Sequence, residues 1–133
     1  MVELPVGRKP LPCKWVFQYK YVFGSEKPKY KARLVAKGFK QEHGVEYNEI
    51  FSPVVKMTTL RLLLRVVAIK DLELEQLNVK TAFLHGDLEE DIYMSQPADF
   101  TTMWEESHLV CRLKKTLYNL KQVSRMWYQK FDP

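Results

Sequence analysis

Between residues 13 and 39 the side chains alternate with a period of two, the pattern of a β-hairpin. Trp15, Phe17, Tyr19, Tyr21 and Phe23 fall on one face of the first arm. Gly24-Ser25-Glu26-Lys27-Pro28 supplies turn chemistry. On the second arm, residues 30–39, Lys31, Arg33, Val35 and Lys37 share one face, and Ala32, Leu34 and Ala36 lie on the other. One apolar side and one basic side describe a half-buried sheet. Its basic side meets either a phosphate backbone or solvent alone.

Residues 40–57 read as irregular, with Gly44 and Pro53 as breakers. Thr58 or Thr59 can then cap a helix that runs to about Lys70. Apolar residues wrap most of its circumference, so the helix is expected to be buried. Arg61 and Arg65, one turn apart, are most simply a solvent stripe, with a phosphate contact as the less favoured reading. A strand is expected at about 72–79, closed by Ala82-Phe83-Leu84-His85-Gly86. Asp87-Leu88-Glu89-Glu90-Asp91 reads as a solvated acidic loop leading to a short strand at 92–95. Residues 97–107 form a loop, and 109–113 can pair back as another strand. Residues 118–131 show a helical pattern with Leu120, Val123, Trp127 and Phe131 roughly on one side. There is no internal repeat, low-complexity tract or clear linker, so the arrangement is α+β.

A chain of 133 residues suits one small domain or part of a larger one, and 46% hydrophobic content is enough to bury a core. With 21 Lys and Arg against 16 Asp and Glu, the net charge of +5 favours a polyanionic partner. Pro5, Pro10 and Pro12 interrupt the start, so a secretory signal is not expected. No apolar run approaches the roughly 18 residues of a membrane span; residues 60–69 come nearest and contain Arg61 and Arg65. Cys13 and Cys111 lack CxxC spacing, which favours reduced thiols in an intracellular protein over a disulfide or zinc site.

Three stretches carry a resemblance. They are Tyr30-Lys31-Ala32-Arg33-Leu34-Val35-Ala36-Lys37-Gly38-Phe39, Asn78-Val79-Lys80-Thr81-Ala82-Phe83-Leu84-His85-Gly86, and Leu109-Val110-Cys111-Arg112-Leu113-Lys114-Lys115-Thr116-Leu117-Tyr118. The last continues through Leu120-Lys121-Gln122 to Trp127-Tyr128. In order and spacing they resemble the copia-type reverse transcriptase domain of retrotransposon Pol polyproteins, from about Cys13 to Asp132. The resemblance implies part of a right-hand polymerase: a fingers hairpin and part of a palm sheet with packed helices. Residues 1–12 would be an N-terminal extension, 13–57 fingers-like, 58–113 a helix and palm-like strands, and 114–133 a returning helix. The implied enzyme copies an RNA or DNA template into DNA from deoxynucleoside triphosphates with Mg²⁺. The implied partners are template-primer, nucleotide and the remaining Pol segments.

By the same resemblance, Arg33 and Lys31 contact the incoming triphosphate, a task that suits the planar fork of an arginine. Phe83 matches the aromatic gate against a ribose 2′-OH; read without the motif it is an ordinary core aromatic. Tyr118 and Lys121 match the segment against nucleotide and template, while Lys121 taken alone could be a solvated helix lysine.

The resemblance also exposes departures. Nucleotidyl transfer uses two divalent cations about 3.5–4 Å apart, and Mg²⁺ requires hard anionic oxygens. Asn78 stands where the family has its first metal-binding Asp, so no catalytic residue is intact there and no metal site is expected. Weakening a group that only supports a metal ligand costs ~10–100-fold, and losing a ligand carboxylate costs more. No Tyr-x-Asp-Asp run occurs in the 133 residues, so the catalytic hairpin and the thumb are expected to be absent. Asn119 replaces a family Gly, and Val123-Ser124 an Ala-Pro. The expectation is a polymerase by descent that is inactive alone. The competing readings are a non-catalytic basic nucleic-acid-binding module and a protein-interaction module using an open sheet edge.

Overall fold

The computed structural model describes residues 1–21, 23–24, 27–98, 100 and 108–132. The hairpin forms where the alternation places it. Strand β1 (Cys13–Lys20) pairs antiparallel with β2 (Lys29–Ala36), in a register that sets Trp15 opposite Leu34, Phe17 opposite Ala32 and Tyr19 opposite Tyr30. On the other face Val16 meets Arg33, Gln18 meets Lys31 and Lys20 meets Lys29. The aromatic and basic faces are therefore separated as the period-two pattern requires.

A second, two-stranded sheet joins β3 (Tyr93–Met94) to β4 (Cys111–Arg112) in antiparallel register. Single bridges sew the chain's distant parts to it: Val2 to Val110, Leu11 to Met94, and Asp87 to Lys115. Residues 1–12 are thereby drawn into the fold, and Leu11 enters the core beside Ala36, Ile92 and Leu120. Leu88, Leu113, Leu117 and Val123 close around these four. Helix α2 (Val123–Phe131) buries Met126 below this cluster. It starts five residues later than the helical pattern at 118–131 predicts. Asn119 sits at φ 72, outside helical space, and residues 116–122 spend their backbone groups on tertiary partners instead.

Two further expectations are corrected. Helix α1 (Met57–Ile69) forms, but it begins after Lys56 without a side-chain cap, and none of its residues is buried. Its apolar circumference faces solvent: Leu62 is 61% exposed and Ile69 84%. The strand expected at 72–79 is irregular and wholly exposed, Leu72, Leu74 and Leu77 included. A strand needs a neighbour for its N–H and C=O groups, and an apolar helix needs a surface to bury against. Among the described residues neither receives one. The expected loop at 97–107 falls largely on residues outside the described set.

The hairpin and the 116–122 segment cross at contact distance. A Cβ on Gly38 would overlap the carbonyl of Asn119, so only glycine fits there. Gly38→Ala should lower stability by roughly 3 kcal/mol, the upper end of overpacking costs, as read by urea denaturation. Amide exchange should divide the chain. Residues 57–79 exchange at rates near those of an open chain, whereas the amides of Ala36, Leu113 and Thr116 are protected.

Candidate nucleotide and nucleic-acid interface

The site is organised by three segments that meet. Strand β2 carries Lys31, exposed, and Arg33, half-buried, whose Nη1 donates to Gln18 Oε1 at 3.4 Å. The amide of Ala36 donates to the Tyr118 carbonyl at 3.0 Å, and Val35 forms a bridge with Tyr118. Asn119 locks the crossing, its Nδ2 donating to the Ala36 carbonyl at 2.9 Å. On the other side of the 116–122 segment, buried Thr116 donates from Oγ1 to the Phe83 carbonyl at 2.7 Å. Thr116 also packs against Gly86 so closely that a Cβ there would strike it and Met126. Lys31, Arg33, Phe83 and Tyr118, separated by up to 87 positions, are thus tied to one backbone framework. Phe83 lies on the 3-10 turn Ala82–Leu84 and is 41% exposed, so it is not a core aromatic.

Lys121, on the same segment, contacts Tyr47. Its Nζ donates to the Tyr47 hydroxyl at 2.9 Å and stands 4.4 Å above the Tyr47 ring, a combined hydrogen bond and cation–π contact. Beneath it lies a buried amide network that sequence reasoning missed. Gln41 Nε2 donates to Gln122 Oε1 at 3.0 Å, and Gln41 Oε1 accepts the Lys121 amide at 2.8 Å. Gln122 Nε2 donates to the Glu46 carbonyl at 2.8 Å. The available signal was a glutamine inside the matched Leu120-Lys121-Gln122 motif, but its partner lies 81 positions away.

Asn78 lies in the exposed irregular stretch, outside this framework. Its neutral amide does not supply the negative oxygen that a Mg²⁺ ion needs. Among the described residues no group of three His, Cys, Asp or Glu side chains could share a cation. The donors present do not fit a two-cation centre. The acidic loop is directed elsewhere: Asp87 pairs with Lys130 at 2.6 Å, and Asp91 with Arg112 at 2.6 Å. Asp91 raises the Arg112 guanidinium above its ordinary value through hydrogen bonding and charge. Burial pushes the Cys13 thiol up, the neighbouring Cys111 adding to the effect, and both cysteines are free thiols.

The geometry is that of a two-stranded ribbon with one cationic face, tied to the segment that leads into helix α2. The family profile described as reverse transcriptase (RNA-dependent DNA polymerase) matches residues 1–133, and the chain belongs to that family. It is 58% identical over 132 residues, 99% of this chain, to the retrovirus-related Pol polyprotein from transposon TNT 1-94 of Nicotiana tabacum. It is 47% identical over 116 residues, 87% of this chain, to the corresponding polyprotein from transposon RE1 of Arabidopsis thaliana. The transposon RE2 polyprotein of the same plant is 45% identical over 116 residues. The chain spans 10% of the first relative's length and 8% of each of the others'. No solved structure matches. Among the described residues no helix is long and apolar enough to cross a membrane.

The Lys130 contact holds the Asp87 carboxyl below its ordinary range. Because the folded value is depressed, the pair contributes fully above the unfolded carboxylate pKa and is lost as pH falls through the lowered value. A carboxyl NMR titration should place Asp87 below the ordinary aspartate range. Lys130→Met should return it to the ordinary range with little change in melting temperature, since the pair is exposed.

Proposed function

We propose that this chain contributes the fingers and first palm portion of a retrotransposon reverse transcriptase. On this reading it holds the phosphates of nucleotide and template but does not carry out nucleotidyl transfer by itself. The observation that carries the reading is the joining of Lys31 and Arg33 on β2 to the Tyr118 segment through the Ala36–Tyr118 hydrogen bond. That bond joins the strand carrying the cations to the segment carrying the aromatic. Arg33 is half-buried and steadied by Gln18, so its guanidinium is partly ordered before any phosphate arrives. Phe83, held by Thr116, borders the same framework as the ribose gate. Template, primer and the other Pol segments are the partners in this reading, with activity resident in the larger assembly.

The absence of transfer follows from charge. Asn78 leaves the first cation position one carboxylate short, and no Tyr-x-Asp-Asp pair occurs in these residues to hold the second. Asp87 and Asp91 are engaged by Lys130 and Arg112, so they do not offer a ready replacement. A second reading, a binding module without chemistry, shares the basic face and is favoured by the same six cations against one acid across residues 13–36.

Primer extension on an RNA template with Mg²⁺ is the test, comparing the chain with Asn78→Asp. No product is expected from either, and metal-dependent extension by the purified chain would overturn the reading. Filter binding should separate polymerase remnant from module. Double substitution Lys31→Gln/Arg33→Gln should weaken retention of nucleic acid about tenfold or more and flatten its salt slope by about two.

A further inference from the structure

Lys121 is a cation set apart from the ion pairs of the fold. Arg112, Arg125 and Lys130 each meet a carboxylate at 2.6 Å. No carboxylate among the described residues pairs with Lys121, yet its side chain is held. Its partner is the phenol of Tyr47, which leaves the positive charge uncompensated. The one hydrogen bond to the hydroxyl spends one of the ammonium's three donors.

The backbone at Lys121 is fixed by a relay of amides that can run in one direction only. The Lys121 N–H can only donate, so Gln41 turns its oxygen toward it. The Gln41 nitrogen then faces Gln122 and requires that residue's oxygen. That leaves the Gln122 nitrogen to donate to the Glu46 carbonyl and, at 3.3 Å, to the Glu90 carboxylate. Reversing Gln41 would set donor against donor at Lys121 and acceptor against acceptor at Gln122. Both glutamines are buried, so water could not relieve either mismatch. The relay also ties residue 46 to the segment at 118–122, and so brings Tyr47, the next residue, up to the Lys121 ammonium.

We propose that Gln41 is a positioning residue that, through this relay, presents Lys121 to a phosphate group. The inference rests on reading the 118–122 segment as facing nucleotide and template, and adds how one cation there is held ready. A free lysine surrenders rotamer freedom when it binds, whereas Lys121 is already restrained at its backbone and at its tip. A carboxylate in the place of Tyr47 would have cancelled the charge that an anion must meet; a phenol restrains the ammonium without doing so. The phosphate belongs to a strand or to a triphosphate, and two probes separate these sources.

The 133-residue chain is titrated by fluorescence anisotropy with a labelled oligothymidylate of about 12 nucleotides, with inorganic tripolyphosphate as competitor. Lys121→Gln should weaken the strand about threefold and lower the salt slope by about one. Gln41→Met, which keeps the length but not the amide, should cause a similar loss. In a Lys121→Gln background it should cause none, because its effect passes through that lysine. Tyr47→Leu leaves the glutamine relay in place and should behave in the same way, which keeps the test open if circular dichroism finds Gln41→Met unfolded. By NMR, the Lys121 ε-methylene protons should lie upfield over the Tyr47 ring in the wild type and return to ordinary values in Gln41→Met. A loss for the strand alone, or for tripolyphosphate as well, supports the inference and names the source of the phosphate. Additive losses in the double variant, or methylene shifts that Gln41→Met leaves unchanged, would overturn it. So would undiminished binding by Lys121→Gln, while Lys31→Gln/Arg33→Gln decides the wider reading independently.

Discussion

The fold turns on a crossing of two backbone segments that only particular residues allow. Gly38 follows the hairpin with no side chain to hold the 116–122 segment away, and Asn119 adopts φ 72 to pass over it. The amide of Asn119 then bonds the Ala36 carbonyl, and the Ala36 amide bonds the Tyr118 carbonyl. Asn is among the non-glycine residues that tolerate this backbone region. The hydrogen bond its side chain makes at 2.9 Å is one that a glycine at this position could not make. Directly alongside, Gln41 and Gln122 are buried at 5% and 0% exposure and satisfy each other. Breaking either would strand the partner amide in the interior, a cost of about 1–3 kcal/mol.

Local patterns were legible; what depended on distant partners was not. The hairpin could be read from Trp15 through Ala36 because period-two alternation and turn chemistry are local signals. The register then placed the basic and aromatic faces as the alternation implied. Helix α1 was legible as a helix but not as an exposed one, since burial belongs to a pair of surfaces and the sequence displays one. The strand expected at 72–79 failed for the same reason: its β-like composition finds no backbone partner among the described residues. Of the candidate site, the motif named Lys31, Arg33, Phe83 and Tyr118, and the structure ties the segments that carry them to one backbone framework. The Lys121–Tyr47 contact spans 74 positions and left no periodic trace.

The distribution of charge bears on chemistry as well as on binding. The ribbon gathers cations on one face, whereas the carboxylates of Asp87, Asp91 and Glu90 are partnered by Lys130, Arg112 and the amide of Gln122. A polymerase centre needs several negative oxygens converging on one point, held apart from cationic side chains. Here the acids are dispersed and matched, and Asn78 is neutral on an exposed stretch. Phosphate binding would need only a cationic face and a stable ribbon behind it, a smaller electrostatic demand than nucleotidyl transfer makes.

A ribbon two strands wide can leave much of both faces open, here everywhere but at the Ala36 end, which enters the core. In a larger sheet packed on helices, the aromatic row would be buried and unavailable. Here Trp15 alone of that row is half-buried, with Phe100 tilted against its ring at 5.7 Å, and the row opens outward from there.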